Sequence, residues 1–538
     1  MHLLAQTQIP LQAPQAPTNA STFHLPHVEY SLLLPEFFVI GAALILLLVS
    51  AVIVKRNRTS LYTGFTLVAL GAAAVPLFYR WHEYAKHARA VAKLGPAASQ
   101  FGSSVVPGPA TRAVEGAIAN DGFGIFVVGL LLAVAVLATL VGDGWLRREN
   151  QTRGPEFQVL ILLATSGAMI MAVGNDLIVT FLGLEILSLP LFVLAAFHSR
   201  RALGREAAMK YFILSAFSSA LFLYGIALVY GSTGSTNLDE IGSFLTQNIA
   251  TSGVLLAGVA LLLIGFGFKV AAVPFHTWAP DVYQGSPSPV SGFMAAAAKV
   301  GAFAGMLRVF MTALATLRLD WQPLVAVLAV LSLVVGAVMA AVQTDVKRMM
   351  AYSSISHAGF MLVGVQAGTT KGVASVLEYA AIYSFMLLGS FAVITVAGGP
   401  SHDVAQTVDD YRGLARKRPG LALLFTIFLL AQAGVPLTGG FIAKFSVIAA
   451  AVQAKSYALA TLAMLSAVVA AFLYLRIVLA MYAGAGDEEE SVPVGRDAAL
   501  RPPRAVAVAL GIAVIVTIAS GVLPGPALDL ARHATLAF

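Results

Sequence analysis

Cysteine is absent from the 538 residues, which excludes disulfides, thiolate zinc sites and cysteine-ligated iron–sulfur clusters. Charge is scarce too: Asp, Glu, Lys and Arg make up 11% of the chain, against about 25% in soluble domains. No Gly-rich strand–turn–helix phosphate loop occurs, so no nucleotide cradle is recognisable. Any redox chemistry linked to this chain therefore belongs to partners. The sequence is instead 58% hydrophobic, with a mean hydropathy of +0.84. That is more apolar side chain than one water-facing fold can accommodate, and the bilayer is the expected solvent. The net charge of +7 does not point to nucleic acid, because the cations stand singly or in clusters of three or four between apolar runs, the pattern of membrane topology.

A spanning helix needs about 20 mostly apolar residues. Runs that qualify lie near 31-54, 61-79, 122-141, 157-174, 176-197, 208-230, 252-272, 286-314, 322-343, 353-368, 373-397, 418-453, 456-483 and 503-522, which predicts 14 spans in an all-α polytopic membrane protein. The run 353-368 is short, and 418-453 is too long for one straight helix unless broken inside the membrane. With the N-terminus outside, 18 Lys and Arg fall in cytoplasmic loops and 9 on the opposite side, five of those in one long loop. The positive-inside rule then places both termini outside. Residues 1-30 contain no Lys or Arg and several Pro and Gln; they lack the charged start of a cleaved signal peptide and read as a flexible external tail. The loop 80-121 is the longest connection, expected to be irregular or short-helical.

Six cations remain inside the predicted spans: Lys210, Lys269, Lys299, Arg308, Lys444 and Arg476. A lysine at a helix centre costs about 2.5 to 3.5 kcal/mol on insertion scales, so such residues normally face protein or water and mark ion pathways. Lys210 lies near a cytoplasmic end, where a long side chain can snorkel. Arg308 and Arg476 sit nearer ends, where structural pairing is the simpler reading. Lys299 is 13 residues into the span 286-314, near the midplane. Glu185 is similarly central in 176-197, the only acid there besides Asp176 at its edge, and a Glu–Lys pair is the structural alternative for both. Asp176, after Gly174-Asn175, reads as a helix cap. Glu378 is embedded and has no assigned role.

Lys269 and Lys444 lie beside helix breakers. In GFGFKVAAVPFHTWAPD, Pro274 cannot donate to the carbonyl of Val270; in LLAQAGVPLTGGFIAKF, Pro436 does the same to Gln432, with three glycines loosening the helix. Such breaks survive at membrane depth only where protein or a water-filled cavity satisfies the freed backbone. Two breaks, each with one lysine and about five spans apart, suggest an internal repeat. His276 and His357 sit at edges of apolar segments, and imidazole suits a proton relay, although a hydrogen-bonded structural histidine is the commoner case. No pair of histidines has the context of a haem or metal site. Glu, Lys and His joined by water would pass protons rather than electrons.

These residues resemble the antiporter-like membrane subunits of respiratory complex I, and among them the N-subunit branch of bacterial NADH-quinone oxidoreductases. The resemblance covers about residues 120 to 485 and runs through DGFGIF, FLGLEILSLPLF, EAAMKYFILSAFSSALFLYG, GFGFKVAAVPFHTWAPDVYQGSPSPVSGF, KRMMAYSSISHAGF and AGVPLTGGFIAKF. It implies two inverted five-helix repeats, 157-314 and 322-483, each with a broken helix. Three helices would precede them (31-156), and a cytoplasmic loop with a last span would follow (484-538). It further implies that Glu185, Lys269, Lys299 and Lys444 relay or store protons, with Lys210, His276 and His357 in support and Pro274 and Pro436 at the breaks. No cofactor is expected on this chain; partners would carry FMN and iron–sulfur clusters and use NADH and quinone. The expected neighbours are the M subunit and small membrane subunits, in a bacterial inner membrane. DVYQG favours the N branch over M or L, and the short stretch 523-538 after the last span leaves no room for the lateral helix of an L subunit. A stand-alone cation/proton antiporter subunit and a non-conducting scaffold are the alternatives.

Overall fold

The apolar runs become helices, and the polar residues at their edges become caps. The structure, a computed structural model, describes residues 28–52, 59–94, 111–148, 154–198, 201–248, 252–398, 407–483 and 502–534. Tail residues 1–27, the centre of the 80-121 loop at 95–110, and most of the predicted cytoplasmic loop at 484–501 lie outside the described residues.

Helices α1 (Leu34–Val52), α2 (Thr59–Leu94) and α3 (Gly122–Arg148) form the first group. Then come α4 (Glu156–Val173), α5 (Leu177–Ala195) and α6 (Ala202–Thr233), a short surface helix α7 (Leu238–Gln247), and the broken crossing α8 (Gly253–Lys269) with α9 (Trp278–Gly285). The next crossing is α10 (Ser288–Phe293), a π-helical turn Met294–Ala298, and α11 (Lys299–Arg308). Beyond it are α12 (Arg318–Val342), α13 (Val346–Ala367), α14 (Thr370–Ala397), the single-turn α15 (Leu414–Lys417), the second broken crossing α16 (Pro419–Ala433) with α17 (Gly439–Gln453), α18 (Tyr457–Tyr482), α19 (Arg504–Val522) and α20 (Pro524–His533). Among the described residues, eleven helical segments are long and apolar enough to span a membrane. The two broken crossings and α13 bring the total to the 14 expected.

Two segments differ from the sequence reading for physical reasons, and a third, the run 418-453, is broken as expected. The short run 353-368 belongs to a 22-residue helix, because Asp345 accepts the backbone N–H of Arg348 at 2.8 Å and starts α13 ahead of its charged first turn. The 80-121 segment is not one loop: α2 continues to Leu94, and β1 (Thr111–Ala113) pairs antiparallel with β2 (Ile118–Asn120). The run 418-453 is two half-helices. At the junction Gly434 adopts φ +90° as the C-cap of α16, and a Cβ on Gly440 would lie 1.7 Å from the carbonyl oxygen of Ala431. Only glycine allows that approach.

The centre of the molecule is the α10–α11 crossing, which is buried along its whole length, packed against α3, α4 and α14. The peripheral helices expose apolar side chains such as Val68, Phe217, Leu331 and Val468, the surface expected toward lipid. Two sets of five crossings follow the first three helices. In each, the first helix packs on the second (α4 on α5, α12 on α13) and the third on the broken fourth (α6 on α8, α14 on α16 and α17). Each break also holds one non-glycine residue at positive φ, Ala271 at +58° and Leu437 at +68°, a conformation that costs on the order of 1 kcal/mol or more.

Candidate functional site: a buried row of lysines

Lys269 ends α8, and its amine donates to Ser215 Oγ of α6 at 3.0 Å. The rings of Tyr211, Phe192 and Phe268 stand 5.5 to 5.9 Å from it, close enough for cation–π attraction. Glu185 of α5 is half-buried and accepts from Ser219 Oγ at 2.5 Å. Glu185 and Lys269 therefore form no direct ion pair. Their helices pack on two sides of α6, and Ser215 and Ser219, one turn apart on that helix, stand between the two charges.

Lys299 follows the π-helical turn and is buried, 2% exposed. Its amine donates to the carbonyl of Ser354 at 2.5 Å and to the hydroxyl of the same residue. Tyr383 donates to that hydroxyl at 2.7 Å, and its ring lies 5.5 Å from the amine. His357, one turn further along α13, is also buried: Nδ1 is 2.6 Å from the hydroxyl of Tyr379 and Nε2 is 3.0 Å from that of Tyr474. Tyr474 in turn hydrogen-bonds Ser353. A neutral imidazole presents one donor and one acceptor, so the two tyrosines must face it in opposite senses, and reversing both moves a proton along the line.

Between Lys269 and Lys299 stands a row of aromatic side chains. Tyr211 stacks on Trp278 at 4.6 Å, Trp278 meets Tyr283 edge-on at 6.3 Å, and the Tyr283 hydroxyl is 3.5 Å from Ser354 Oγ. At the far end Lys444 of α17 donates to the carbonyls of Gln432 and Ala433 at 2.9 and 2.8 Å. Its amine lies 5.1 Å from the Phe360 ring, which stacks on Tyr379 at 6.0 Å. The breaks thus satisfy their freed carbonyls differently: Lys444 serves the second, whereas at the first the indole of Trp278 donates to Phe268 at 3.0 Å and leaves Lys269 to Ser215. Among the described residues no carboxylate lies within ion-pair distance of Lys269, Lys299 or Lys444.

Other predicted residues lie off this row. Lys210 pairs with Glu206 and Asp281, each at 2.7 Å, and Asp281 also takes Arg348; this is a half-exposed cluster at the helix ends. His276 is half-buried in the turn between α8 and α9, its ring 6.4 Å from that of Tyr352. Arg308 holds Asp121 through two bonds of 2.7 and 2.9 Å, and Arg476 donates to the C-terminal carbonyls of α12; both are structural. Asp176 caps α5. Among the described residues no three His, Asp or Glu side chains gather as a metal site.

The family model described as NADH:quinone oxidoreductase/Mrp antiporter, TM, matches residues 174–470. The chain is 36% identical to NADH-quinone oxidoreductase subunit N of Rhodococcus opacus, covering 97% of this chain and 98% of that one. It is 38% identical to subunit N of Mycobacterium tuberculosis, covering 95% and 98%. The chain belongs to the subunit N family of NADH-quinone oxidoreductase. Among solved structures, respiratory complex I of Thermus thermophilus with bound aureothin contains a chain 31% identical with a TM-score of 0.71, covering 93% of this chain and 99% of that one. The Mrp complex of Dietzia sp. matches at a TM-score of 0.74 and 20% identity, covering 94% and 97%, a likeness of fold alone.

In this member of the subunit N family, the acid and the first lysine each hydrogen-bond a serine hydroxyl of α6. Replacing Glu185 by Ala is expected to slow coupled proton movement roughly tenfold more than replacing it by Asp, about the worth of one charge-assisted hydrogen bond. Ser219→Ala should fall between them. Proton uptake by vesicles, normalised to assembled complex, measures this; equal rates for Glu185→Ala and Glu185→Asp would remove the carboxylate from the pathway.

Proposed function

We propose that this chain is the proton-translocating, non-redox N-type subunit of a bacterial NADH-quinone oxidoreductase. The observation that carries the reading is the buried row of three lysines held by hydroxyls and carbonyls, with imidazole and phenol groups between them and, among the described residues, no carboxylate in direct contact. Apolar residues at these positions would insert at lower cost, so a scaffold that only seals neighbours gives no reason for the row. Relatives named as subunit N along nearly the full length favour this role over a stand-alone antiporter.

NADH oxidation and quinone reduction proceed in partner subunits that carry FMN and iron–sulfur clusters; this chain contributes proton transfer. It sits among other membrane subunits, beside the antiporter-like M subunit and small membrane subunits, in the inner membrane with both termini outside. The five-helix units are 157-314 and 322-483. Five is an odd number of crossings, so the second unit starts from the opposite face and is inverted relative to the first. A charge change at Glu185 reaches Lys269 through Ser219 and Ser215 and passes by way of Lys299, Ser354, Tyr383 and His357 to Lys444. Lys210 and His276 support entry at the cytoplasmic side.

Lys444 offers a test that separates relay from cap. Arginine at this position keeps donors for the Gln432 and Ala433 carbonyls, yet guanidinium does not deprotonate at working pH. Lys444→Arg is therefore expected to assemble like the parent while losing coupled proton movement, as Lys444→Met does. A Lys444→Arg complex that pumps like the parent makes Lys444 a cap for the broken helix and no relay member.

A further inference from the structure

Glu378 lies on α14, eight residues past Thr370, or about 12 Å along the helix, and is 2% exposed. Its Oε1 has no hydrogen-bond partner among the described residues. The carboxyl borders a cavity of about 550 Å³ between α14, α17 and α20, with Thr370, Lys371, Leu528 and Arg532 toward the helix ends and Glu378 and Ser446 deeper in. Ser446 lies two residues beyond Lys444 toward the end of α17, about 3 Å along the axis and about 200° around it, so it turns from the lysine row to the cavity. On α14 the residue after Glu378 is Tyr379, which carries Nδ1 of His357. Successive side chains of a helix diverge by about 100°, so Tyr379 turns to the lysine row while Glu378 turns to the cavity. One helical position thus divides the buried relay from a space lined at its mouth by cations.

We propose that Glu378 is the outermost acid of the relay: its carboxylate takes a proton that leaves the Lys444 amine through intervening water, and passes it to water in the cavity between α14, α17 and α20. The amine loses the proton and returns to neutrality, and the carboxylate is regenerated on release, so no other reactant is needed. Lys371 and Arg532 at the mouth disfavour return of a cation. This rests on the reading of the chain as a proton-translocating subunit with its termini outside.

The test uses the assembled complex in vesicles with a pH dye on the face where α20 lies. Glu378→Gln keeps size and polarity but cannot exchange a proton. It is expected to slow proton release about tenfold or more, the cost of losing a positioned acid–base group, while Glu378→Asp keeps most of the rate. Glu378→Gln releasing protons like the parent would overturn the assignment; if Lys299→Met fails in the same assay, the relay reading stands and this one alone falls. Independently, Ala374→Cys places the only thiol of this chain on the cavity wall. A membrane-impermeant maleimide added on the outer face should label it, and labelling only from the cytoplasmic face would contradict an outward cavity.

Discussion

Arg308→Met is expected to prevent stable incorporation of this chain into the complex. The guanidinium is 1% exposed and joins three elements: it donates to Asp121 ahead of α3, to the Ala172 carbonyl at the end of α4, and stacks 5.0 Å from Phe123. Removing one partner of such a buried pair leaves an uncompensated charge and costs about 3 to 5 kcal/mol, a large share of the net stability of most folds. Asp121 also accepts the Gly124 N–H at the start of α3 at 2.7 Å, a bond that asparagine can still accept. Adding Asp121→Asn should therefore restore part of the assembly by removing the stranded charge while keeping the cap. Native-gel quantification of the complex reads both outcomes. Normal assembly of Arg308→Met alone would mean that the pair contributes little.

Much of the site was legible because a cation in an apolar run has few explanations. Lys269, Lys299 and Lys444 stand deep in such runs, and the proline and glycine clusters beside two of them announced the breaks. The partners were not legible, since a serine or tyrosine in a membrane helix is ordinary until the fold brings it close. Ser354 is 55 residues from Lys299, and Tyr474 is 117 from His357. A weaker signal was present: Ser353, Ser354 and His357, like Tyr379 and Tyr383, have the three- and four-residue spacing of one helix face. The Asp281 partner of Lys210, 71 residues away, had no sign in the sequence, and nothing there places α6 between Glu185 and Lys269. The start of α13 was missed because Lys347 and Arg348 lower its hydropathy, whereas the Asp345 cap decides where the helix begins.

The largest functional effect is expected at Lys299. Methionine fills similar volume and inserts more cheaply than a buried amine, so the helix and its packing on α13 and α14 should survive. Ser354 and Tyr383 remain hydrogen-bonded to each other, which limits the polar groups left stranded. What disappears is the one group that can hold a proton between the aromatic row beside Lys269 and the imidazole of His357. Proton transfer through a missing positioned group slows on the order of 100-fold, and among the described residues no parallel amine bridges the same gap. Lys299→Arg should fail as completely, because it retains the charge and loses the exchange.

The most direct measurement is the number of protons moved per quinone reduced by purified, fully assembled complex carrying Lys299→Met, reconstituted in sealed vesicles beside the parent. A lower ratio is expected in the variant, with electron transfer continuing when an uncoupler collapses the gradient. A ratio equal to that of the parent, at equal assembly, would contradict the claim that this chain conducts protons through its buried lysines.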